Sequence, residues 1–207
     1  MGGSRMEIRP YRNGDRDQVG LICLKTGDAG QDATAKHADD QLLPHIYALP
    51  YVDYAPQWAW VAEEDGVALG YILAIPDRAA FHDWWQKHWV PVLEDRFPTH
   101  ERQGWPEADQ QLLGSALDPE TDSEWQEEYP AELHIDILPE GQGRGLGRKL
   151  METLVGELRE QGIAGLAFGV DGENANAIGF YKRLGFEVIT ETKDGDRFVT
   201  VTMGVRF

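Results

Sequence analysis

The sequence predicts one α/β domain, and three observations support that prediction. Segments with strand-type alternation of apolar residues and segments with helical spacing follow one another along the chain, which indicates both kinds of element. Of the 207 residues, 42% are apolar, which is enough for one sizeable core. The chain has no internal repeat and no low-complexity linker. We therefore expect a single domain over residues 6–207, preceded by a loose start or expression remnant at residues 1–5.

The first elements are predicted to be a strand, a helix and a β-hairpin. Residues 6–11 alternate enough for a short strand, and Asn13 or Asp15 is suited to cap the helix that follows. Residues 57–63 and 67–75 are strand-like runs separated by the turn signal Glu-Asp-Gly, which predicts a hairpin. The apolar residues assigned to the first helix are Val19, Leu21, Ile22 and Leu24.

Residues 77–130 differ in composition from the rest of the chain. All seven tryptophans lie between positions 58 and 125, and five of them fall within 84–125. Helical spacing of aromatic residues predicts one amphipathic helix that ends near Pro98, followed by an acidic, partly irregular region. Two interpretations stay open, namely tryptophans that pack this segment against the body and an aromatic wall beside a substrate groove. The residues that carry the spacing are Phe81, Trp84, Trp85, Trp89 and Val92.

The pattern from residue 131 onward is regular and predicts alternating elements. A glycine-rich turn at 141–147 separates a strand from a helix with leucines at every fourth position, and Gly162 is a good stop signal for that helix. The predicted elements are a strand at 131–137, the helix that begins at the glycine-rich turn, a strand at 163–170, a short helix from Asn174 to Leu184, and strands at 186–190 and 197–205 joined through Lys193-Asp194-Gly195-Asp196.

The glycine-rich turn is predicted to bind an anion. Glycines on alternate positions let backbone N–H groups converge on a ligand, and the start of the helix adds partial positive charge. Arg144 and Arg148 add cationic side chains. A tight turn without a ligand is the simpler alternative, but four glycines and two arginines exceed what a turn requires. The glycine spacing fits neither the dinucleotide fingerprint nor the P-loop. The glycines are Gly141, Gly143, Gly145 and Gly147.

Two motifs in the right order resemble the GNAT superfamily of acetyl-CoA-dependent acetyltransferases. The first is Gln142-x-x-Gly145-x-Gly147, preceded by a strand and followed by a helix. The second is Asn174-x-x-Ala177-x-x-Phe180-Tyr181-x-x-x-Gly185-Phe186. The resemblance covers about 130–190 closely. It implies a GNAT fold, with a mixed, largely antiparallel central sheet and helices on both faces. In this chain the fold would carry a long Trp-rich insertion between the third and fourth strands.

The insertion, 77–130, departs from the usual GNAT pattern, in which far fewer residues join the third strand to the fourth. Together with the sequence around the glycine-rich turn, it resembles a subgroup: the acetyltransferase-like domain at the C-terminus of eukaryotic O-GlcNAcase and its stand-alone bacterial relatives. The glycine-rich turn is intact here, which favours a working cofactor site.

The resemblance to GNAT proteins implies a set of residues around acetyl-CoA. The strand edge near Ile137 and Leu138 would pair with the pantetheine amides, and Asn174 would contact the cofactor arm. Tyr181 would lie close to the sulfur and act as general acid, unless it is only a packed tyrosine. Backbone N–H groups would hold the pyrophosphate, and these belong to Gln142, Gly143, Arg144, Gly145, Leu146, Gly147 and Arg148.

The base that accepts the amine proton is predicted on the strand at 131–137. Side chains alternate across a strand, so Glu132, His134 and Asp136 share one face, and the apolar face is expected to pack on the helix after the glycine-rich turn. Asp136 lies nearest the turn and ranks first as base, and His134 ranks second because its ordinary pKa is near neutral. A purely structural hydrogen-bond network is the alternative.

Composition excludes several functional classes. The net charge of −17 disfavours binding to nucleic acid or to an anionic membrane. A single cysteine, Cys23, allows no intramolecular disulfide, no histidine spacing suggests a metal site, and no apolar leader is seen, so we expect a cytoplasmic protein. The expected partner is an amine-bearing small molecule or a protein lysine or N-terminus, with a homodimer through a sheet edge also considered. The rival prediction is a non-catalytic module that binds acetyl-CoA or recognises a protein.

Overall fold

The computed structural model describes residues 6–119, 125–194 and 197–207. Residues 1–5 and the centre of the predicted 193–196 turn lie outside the described residues. Within the described part the strands are β1 Met6–Pro10, β2 Ala59–Glu64, β3 Val67–Ile75, β4 Glu132–Ile137, β5 Gly165–Asp171, β6 Glu187–Asp194 and β7 Arg197–Arg206. The α-helices are α1 Arg16–Thr26, α2 Leu42–Tyr47, α3 Leu49–Tyr54, α4 Arg78–Trp84, α5 Val90–Arg96, α6 Glu107–Leu117, α7 Leu146–Glu160 and α8 Ala175–Arg183. None of the described helices is long and apolar enough to cross a membrane.

The strands form two antiparallel sheets that meet at one point. Strands β1, β2, β3 and β4 are neighbours in that order, and β5, β7 and β6 form the second sheet. Among the described residues, one parallel bridge, between Ala131 and Leu166, joins the two sheets, with the Ala167 N–H donating to the Ala131 carbonyl at 3.0 Å. The predicted α/β fold with a mixed, largely antiparallel sheet is confirmed. Because the described residues of β4 and β5 do not pair with each other elsewhere, a gap separates the two strands beyond the bridge.

Helices cover both faces of the first sheet, as predicted. Tyr71 of β3 is directly opposite Asp136 of β4 and is hydrogen-bonded to Cys23 of α1, so α1 lies on that face. On the other face a Cβ added at Gly147 of α7 would lie 3.4 Å from Ile137 Cδ1. The prediction that the apolar face of β4 packs on this helix is thus confirmed. The buried stripe of α7 consists of Leu146, Leu150, Met151, Leu154 and Leu158.

The predicted hairpin is confirmed, with a shorter turn. Glu64 pairs with Val67, so only Asp65 and Gly66 form the turn, with φ values of 50° and 86°. Two positive φ values are typical of the turn whose twist matches a β-hairpin. The helix cap at the N-terminus differs from the prediction: Asp15 precedes α1, but its carboxylate accepts hydrogen bonds from Arg9 and from the Arg12 N–H.

The helix predicted in the insertion is present over 78–96 and ends near Pro98 as expected, but it is not one regular α-helix. Helices α4 and α5 are separated by a π-helix, Trp85–Trp89. Pro91 lies in the first turn of α5, where its missing N–H is tolerated, whereas inside a continuous α-helix its ring would clash with the preceding turn. Trp85 donates its indole N–H to the Ala116 carbonyl at 2.7 Å, and Trp89 donates to the His45 carbonyl at 2.8 Å. The π-helix therefore ties two parts of the insertion together at α6 and ties the insertion to α2.

Two further parts of the chain are more helical than predicted. Helix α6 lies inside the region expected to be acidic and partly irregular, and Glu107 and Asp109 in its first turn favour its N-terminus electrostatically. Leu113 on the same helix is fully buried. Between α1 and β2, the short helices α2 and α3 place two tyrosines, Tyr47 and Tyr51, against β4.

Candidate active site

The gap between β4 and β5 exposes one edge of β4. Leu138 donates its N–H to Leu69 at 2.8 Å, so the alternation of an antiparallel ladder makes the even-numbered residues of β4 pair with β3. Leu133, Ile135 and Ile137 consequently direct their N–H and C=O groups into the gap. The Gln142 side chain donates to the Ile137 carbonyl at 2.9 Å. The remaining groups suit an extended amide-bearing ligand that pairs like an added strand.

Residues 142–148, which we call the cofactor loop, present a row of backbone donors. Gly143 and Gly145 have φ values of 71° and 78°, and a Cβ added at either would meet open space. The first N–H of this region with a helical acceptor is that of Lys149, which donates to the Gly145 carbonyl at 3.2 Å. The N–H groups of 143–148 have no acceptor among the described residues, whereas the Gln142 N–H donates to Pro139 at 3.2 Å. Six free donors at a helix start suit a phosphate.

The side chains of the cofactor loop have separate tasks. Leu146 is buried and anchors the helix start, and Gly147 permits its close approach to β4. Arg144 is paired with Glu64 of β2, with one contact at 2.8 Å, so its guanidinium is already engaged. Arg148 lies 3.6 Å from Glu152 with 56% of its side chain exposed, which makes a weak pair that a phosphate can replace.

Leu138 and Asn174 differ in what they leave available. The Leu138 N–H bonds to Leu69 and its carbonyl accepts from the Gly141 N–H at 2.8 Å, so its backbone is used inside the protein. The Asn174 side-chain oxygen caps α8 by accepting from the Ala177 N–H at 3.0 Å. The Asn174 amide nitrogen has no acceptor within the described ranges, and the residue borders a cavity.

A hydrogen-bonded chain holds His134 on the polar face of β4. The Tyr51 hydroxyl donates to Glu132 Oε1 at 3.0 Å and lies 3.0 Å from His134 Nε2. Arg78 forms a salt bridge with Glu132 and bonds to the Ala167 carbonyl. Burial lowers the pKa of His134, against the raising effect of nearby carboxylates. The His134 imidazole is consequently neutral at physiological pH.

Asp136 lies two residues after His134 on the same face of β4, and it contacts α1 rather than α3. Its carboxylate accepts a hydrogen bond from the Tyr71 hydroxyl, which is fully buried beneath α1. Burial raises the pKa of Asp136, and the Tyr71 hydrogen bond opposes this rise. The carboxylate is therefore partly engaged by the protein.

Tyr181 is buried on α8 among other aromatic rings. Its ring centroid lies 4.7 Å from that of Phe168 and 5.2 Å from that of Phe180. Burial raises the pKa of Tyr181, and the Asp136 carboxylate adds to that rise. The hydroxyl stays protonated at physiological pH and has no hydrogen-bond partner among the described residues.

Two cavities adjoin this polar face, and His134 and Tyr47 border both of them. The small cavity, about 260 Å³, is also bordered by Asp136 and Asn174. The large cavity, about 810 Å³, reaches from β4 and β5 to the insertion. Its aromatic lining comprises Tyr47, Tyr51, Phe81 and Trp85, and its polar lining includes Arg78, Asp83, Glu132 and Asp171. Tyr181 borders neither cavity.

Sequence reasoning missed the residues that hold the polar face in place. Tyr51 and Tyr71 lie about 80 and 65 positions before their partners in the chain, and Arg78 is 54 positions before Glu132. No motif marks these residues. Only the register of β3 against β4, which places Tyr71 opposite Asp136, identifies one of them.

Comparison with known proteins agrees with this geometry. Residues 31–186 match the model of the acetyltransferase (GNAT) family. The crystal structure of SsHAT is 35% identical, with a TM-score of 0.83 over 97% of this chain and 98% of that chain. The yncA structure from Salmonella typhimurium, solved with its cofactor acetyl-CoA, has 20% identity and a TM-score of 0.57 over 97% of this chain and 93% of that one, a likeness of fold alone.

A curated relative matches over a shorter segment. The ribosomal protein bS18-alanine N-acetyltransferase of Escherichia coli K12 is 44% identical over 58 residues. That segment is 28% of this chain and 39% of the relative, so the chain spans about two fifths of the length of the curated relative it matches. The family match covers most of the chain, and the full-length structural match exceeds 30% identity. This chain belongs to the GNAT acetyltransferase family.

Proposed function

We propose that this protein is an acetyl-CoA-dependent N-acetyltransferase that moves an acetyl group directly to an amine. One observation carries the proposal: the free donors of the cofactor loop and the open edge of β4 lead along one gap to the cavity that His134 borders. The donors suit a diphosphate and the strand edge suits an amide chain, which together match the chemistry of coenzyme A.

Acetyl-CoA would be held mainly by the backbone. The N–H groups of residues 143–148 would bind the pyrophosphate, and Ile135 and Ile137 would pair with the pantetheine amides. Asn174 would add its side-chain nitrogen from the start of α8. Bound acetyl-CoA would supply the thioester whose acetyl group is transferred.

The chain then provides a base and an acid. The amine first loses one proton to solvent and becomes neutral. As its nitrogen attacks the thioester carbonyl and the C–N bond forms, His134 takes the second proton from that nitrogen. Tyr181 donates a proton to the sulfur as the C–S bond breaks, and it recovers that proton from solvent. Each group has the required protonation state at physiological pH, because the environment keeps the imidazole neutral and the phenol protonated.

We rank His134 ahead of Asp136, which reverses the order predicted from sequence. His134 borders the large cavity, where an acceptor has room, whereas Asp136 borders only the small one. The Asp136 carboxylate is also bonded to Tyr71. The Asp136 carboxylate is then expected to act through its charge, which raises the pKa of His134 and of Tyr181. Asp136 would be the base only if His134 proves dispensable.

Replacement of Tyr181 by phenylalanine tests the acid. Tyr181→Phe keeps the ring packing and removes the hydroxyl, so kcat is expected to fall roughly 10²-fold with little change in acetyl-CoA affinity. Turnover measured by thiol release, with affinity measured by calorimetry, gives both values. Tyr11→Phe, remote from the gap, is the matched control, and a wild-type rate for Tyr181→Phe would reduce Tyr181 to packing.

The acceptor is proposed to arrive as a cation. Arg78 lines the large cavity, but its charge is engaged by Glu132, whereas Asp83 and Asp171 border the cavity as further carboxylates. Acceptors of two kinds fit this charge, namely small amines and the lysines or N-termini of proteins. One relative is named as an N-acetyltransferase of an alanine of ribosomal protein bS18.

A matched series of amines tests this charge preference. Because the carboxylates attract a second positive charge and repel a negative one, kcat/KM is expected to fall from 1,4-diaminobutane to butylamine to 4-aminobutanoate. The expected difference between neighbouring members is about tenfold, which is the effect of about 1.4 kcal/mol. Equal values across the series, or preference for the amino acid, would contradict a cationic acceptor. The same assays separate an enzyme from the rival binding module, which would bind acetyl-CoA and acetylate none of the amines.

A further inference from the structure

We propose that Tyr51 is a positioning residue that holds His134 as the tautomer with its proton on Nε2 and thereby makes Nδ1 the basic nitrogen. The inference rests on the proposed function, in which His134 is the base. Tyr51 lines the large cavity, but its hydroxyl is engaged by Glu132 and His134. Its effect is exerted through the imidazole.

The direction of the hydrogen bonds follows from the number of protons available. The Tyr51 hydroxyl carries one proton and lies between Glu132 Oε1 and His134 Nε2, at 3.0 Å from each. A carboxylate can only accept, so the tyrosine proton is directed to Glu132. The Tyr51 oxygen must then accept from His134, which places the imidazole proton on Nε2.

Arg78 fixes the far end of the chain. Its guanidinium bonds to Glu132 and to the Ala167 carbonyl on β5, so the carboxylate is held from the side opposite Tyr51. Tyr51 is 4% exposed, and its ring meets the His134 ring edge-on at 4.8 Å between centroids. Because Arg78, Glu132 and Tyr51 hold one another in place, the imidazole has one orientation in which Nε2 can form its hydrogen bond to Tyr51.

The second nitrogen is left for chemistry. His134 Nδ1 has no hydrogen-bond partner among the described residues, and the residue keeps 28% of its side chain accessible at the cavities it borders. A neutral imidazole protonated on Nε2 has its lone pair on Nδ1. The tie to Tyr51 thus makes the free nitrogen a proton acceptor, as the reaction requires.

Nuclear magnetic resonance of the full chain labelled with ¹⁵N-histidine tests the tautomer without any substrate. The wild-type His134 signals, assigned by their loss in His134→Asn, are expected at shifts typical of the Nε2–H form. Tyr51→Phe removes the acceptor, so a mixture of tautomers is expected. Tyr54→Phe, one turn later on α3 and packed on Phe81 and Trp84, is the control that keeps the wild-type tautomer. A wild-type Nδ1–H form or mixture would overturn the proposal, and this part of the test needs a folded variant only for the assignment.

Kinetic measurements add a second test, because a purely structural role of Tyr51 would not change the pH–rate profile. Tyr51→Phe is expected to lower kcat about tenfold, the effect of one lost neutral hydrogen bond, and to shift the acidic limb of the pH–rate profile together with the His134 titration. The groups that face His134 in this titration are Glu132 and Asp136 from β4, Tyr47 from α2, Tyr51 from α3 and Arg78 from α4. A folded Tyr51→Phe with the rate, limb and tautomer of Tyr54→Phe refutes the role. If the tautomer responds as expected but no amine is acetylated, the positioning stands and the proposed function fails.

Discussion

Gly145→Glu is expected to abolish acetyl-CoA binding. The side chain would enter the open space in front of the free N–H groups, where the proposed pyrophosphate lies. Two like charges about 4 Å apart near a protein surface repel by roughly 4 kcal/mol, and about 1.4 kcal/mol is already tenfold in affinity. A loss of at least about 100-fold should therefore be seen by calorimetry.

The chain offers a matched control for the backbone strain of this substitution. Gly162, just after α7, has a φ of 71° and open space around an added Cβ, so Gly162→Glu has the same left-handed backbone and the same added charge. Each variant should lose roughly 1–2 kcal/mol of stability from the conformation alone. If Gly145→Glu binds acetyl-CoA as well as Gly162→Glu does, the cofactor loop has been assigned wrongly.

His134→Asn is expected to lower kcat by roughly 10²- to 10⁴-fold, the range of a positioned general base. The asparagine retains a polar group near Tyr51 but cannot accept the amine proton. Acetyl-CoA affinity should stay near the wild-type value, because His134 is not among the proposed cofactor contacts. Asp136→Asn, which can still accept from Tyr71, serves as the comparison and should lose less activity. The opposite order would return the role of base to Asp136.

The pH dependence of the wild-type enzyme follows from the sign of the His134 shift. A base works only when unprotonated, so kcat/KM should rise with pH through the pKa of His134. Because burial lowers that pKa, the acidic limb should lie below the ordinary histidine value of about 6.5. In His134→Asn this limb should be absent, leaving only the rise through the pKa of the amine. A limb that persists unchanged in the variant would assign it to another group.

The predictions from sequence succeeded where the signal was local. The two-residue period of β4 is enough to separate Glu132, His134 and Asp136 from the apolar face, and the glycine spacing identified a donor-rich helix start. The partners of the polar face could not be predicted, because Tyr51, Tyr71 and Arg78 reach it only through strand register and helix packing across 54 to 83 positions. Arg144 was expected to add positive charge to the anion site, but its guanidinium forms a salt bridge with Glu64 on the adjacent hairpin.

The π-helix at Trp85–Trp89 contains a one-residue excess over an α-helix. The widened turn absorbs that extra residue, so the helices on either side of it keep their phase, and the Val90 N–H reaches the Trp85 carbonyl. Removal of one residue from Gln86–His88 is therefore expected to restore an ordinary α-helical turn, with Trp89 and Leu93 still on the faces that they occupy now. The ring of Pro91 would then meet the carbonyl of the preceding turn, so the extra residue is what makes a proline tolerable at this point of the insertion.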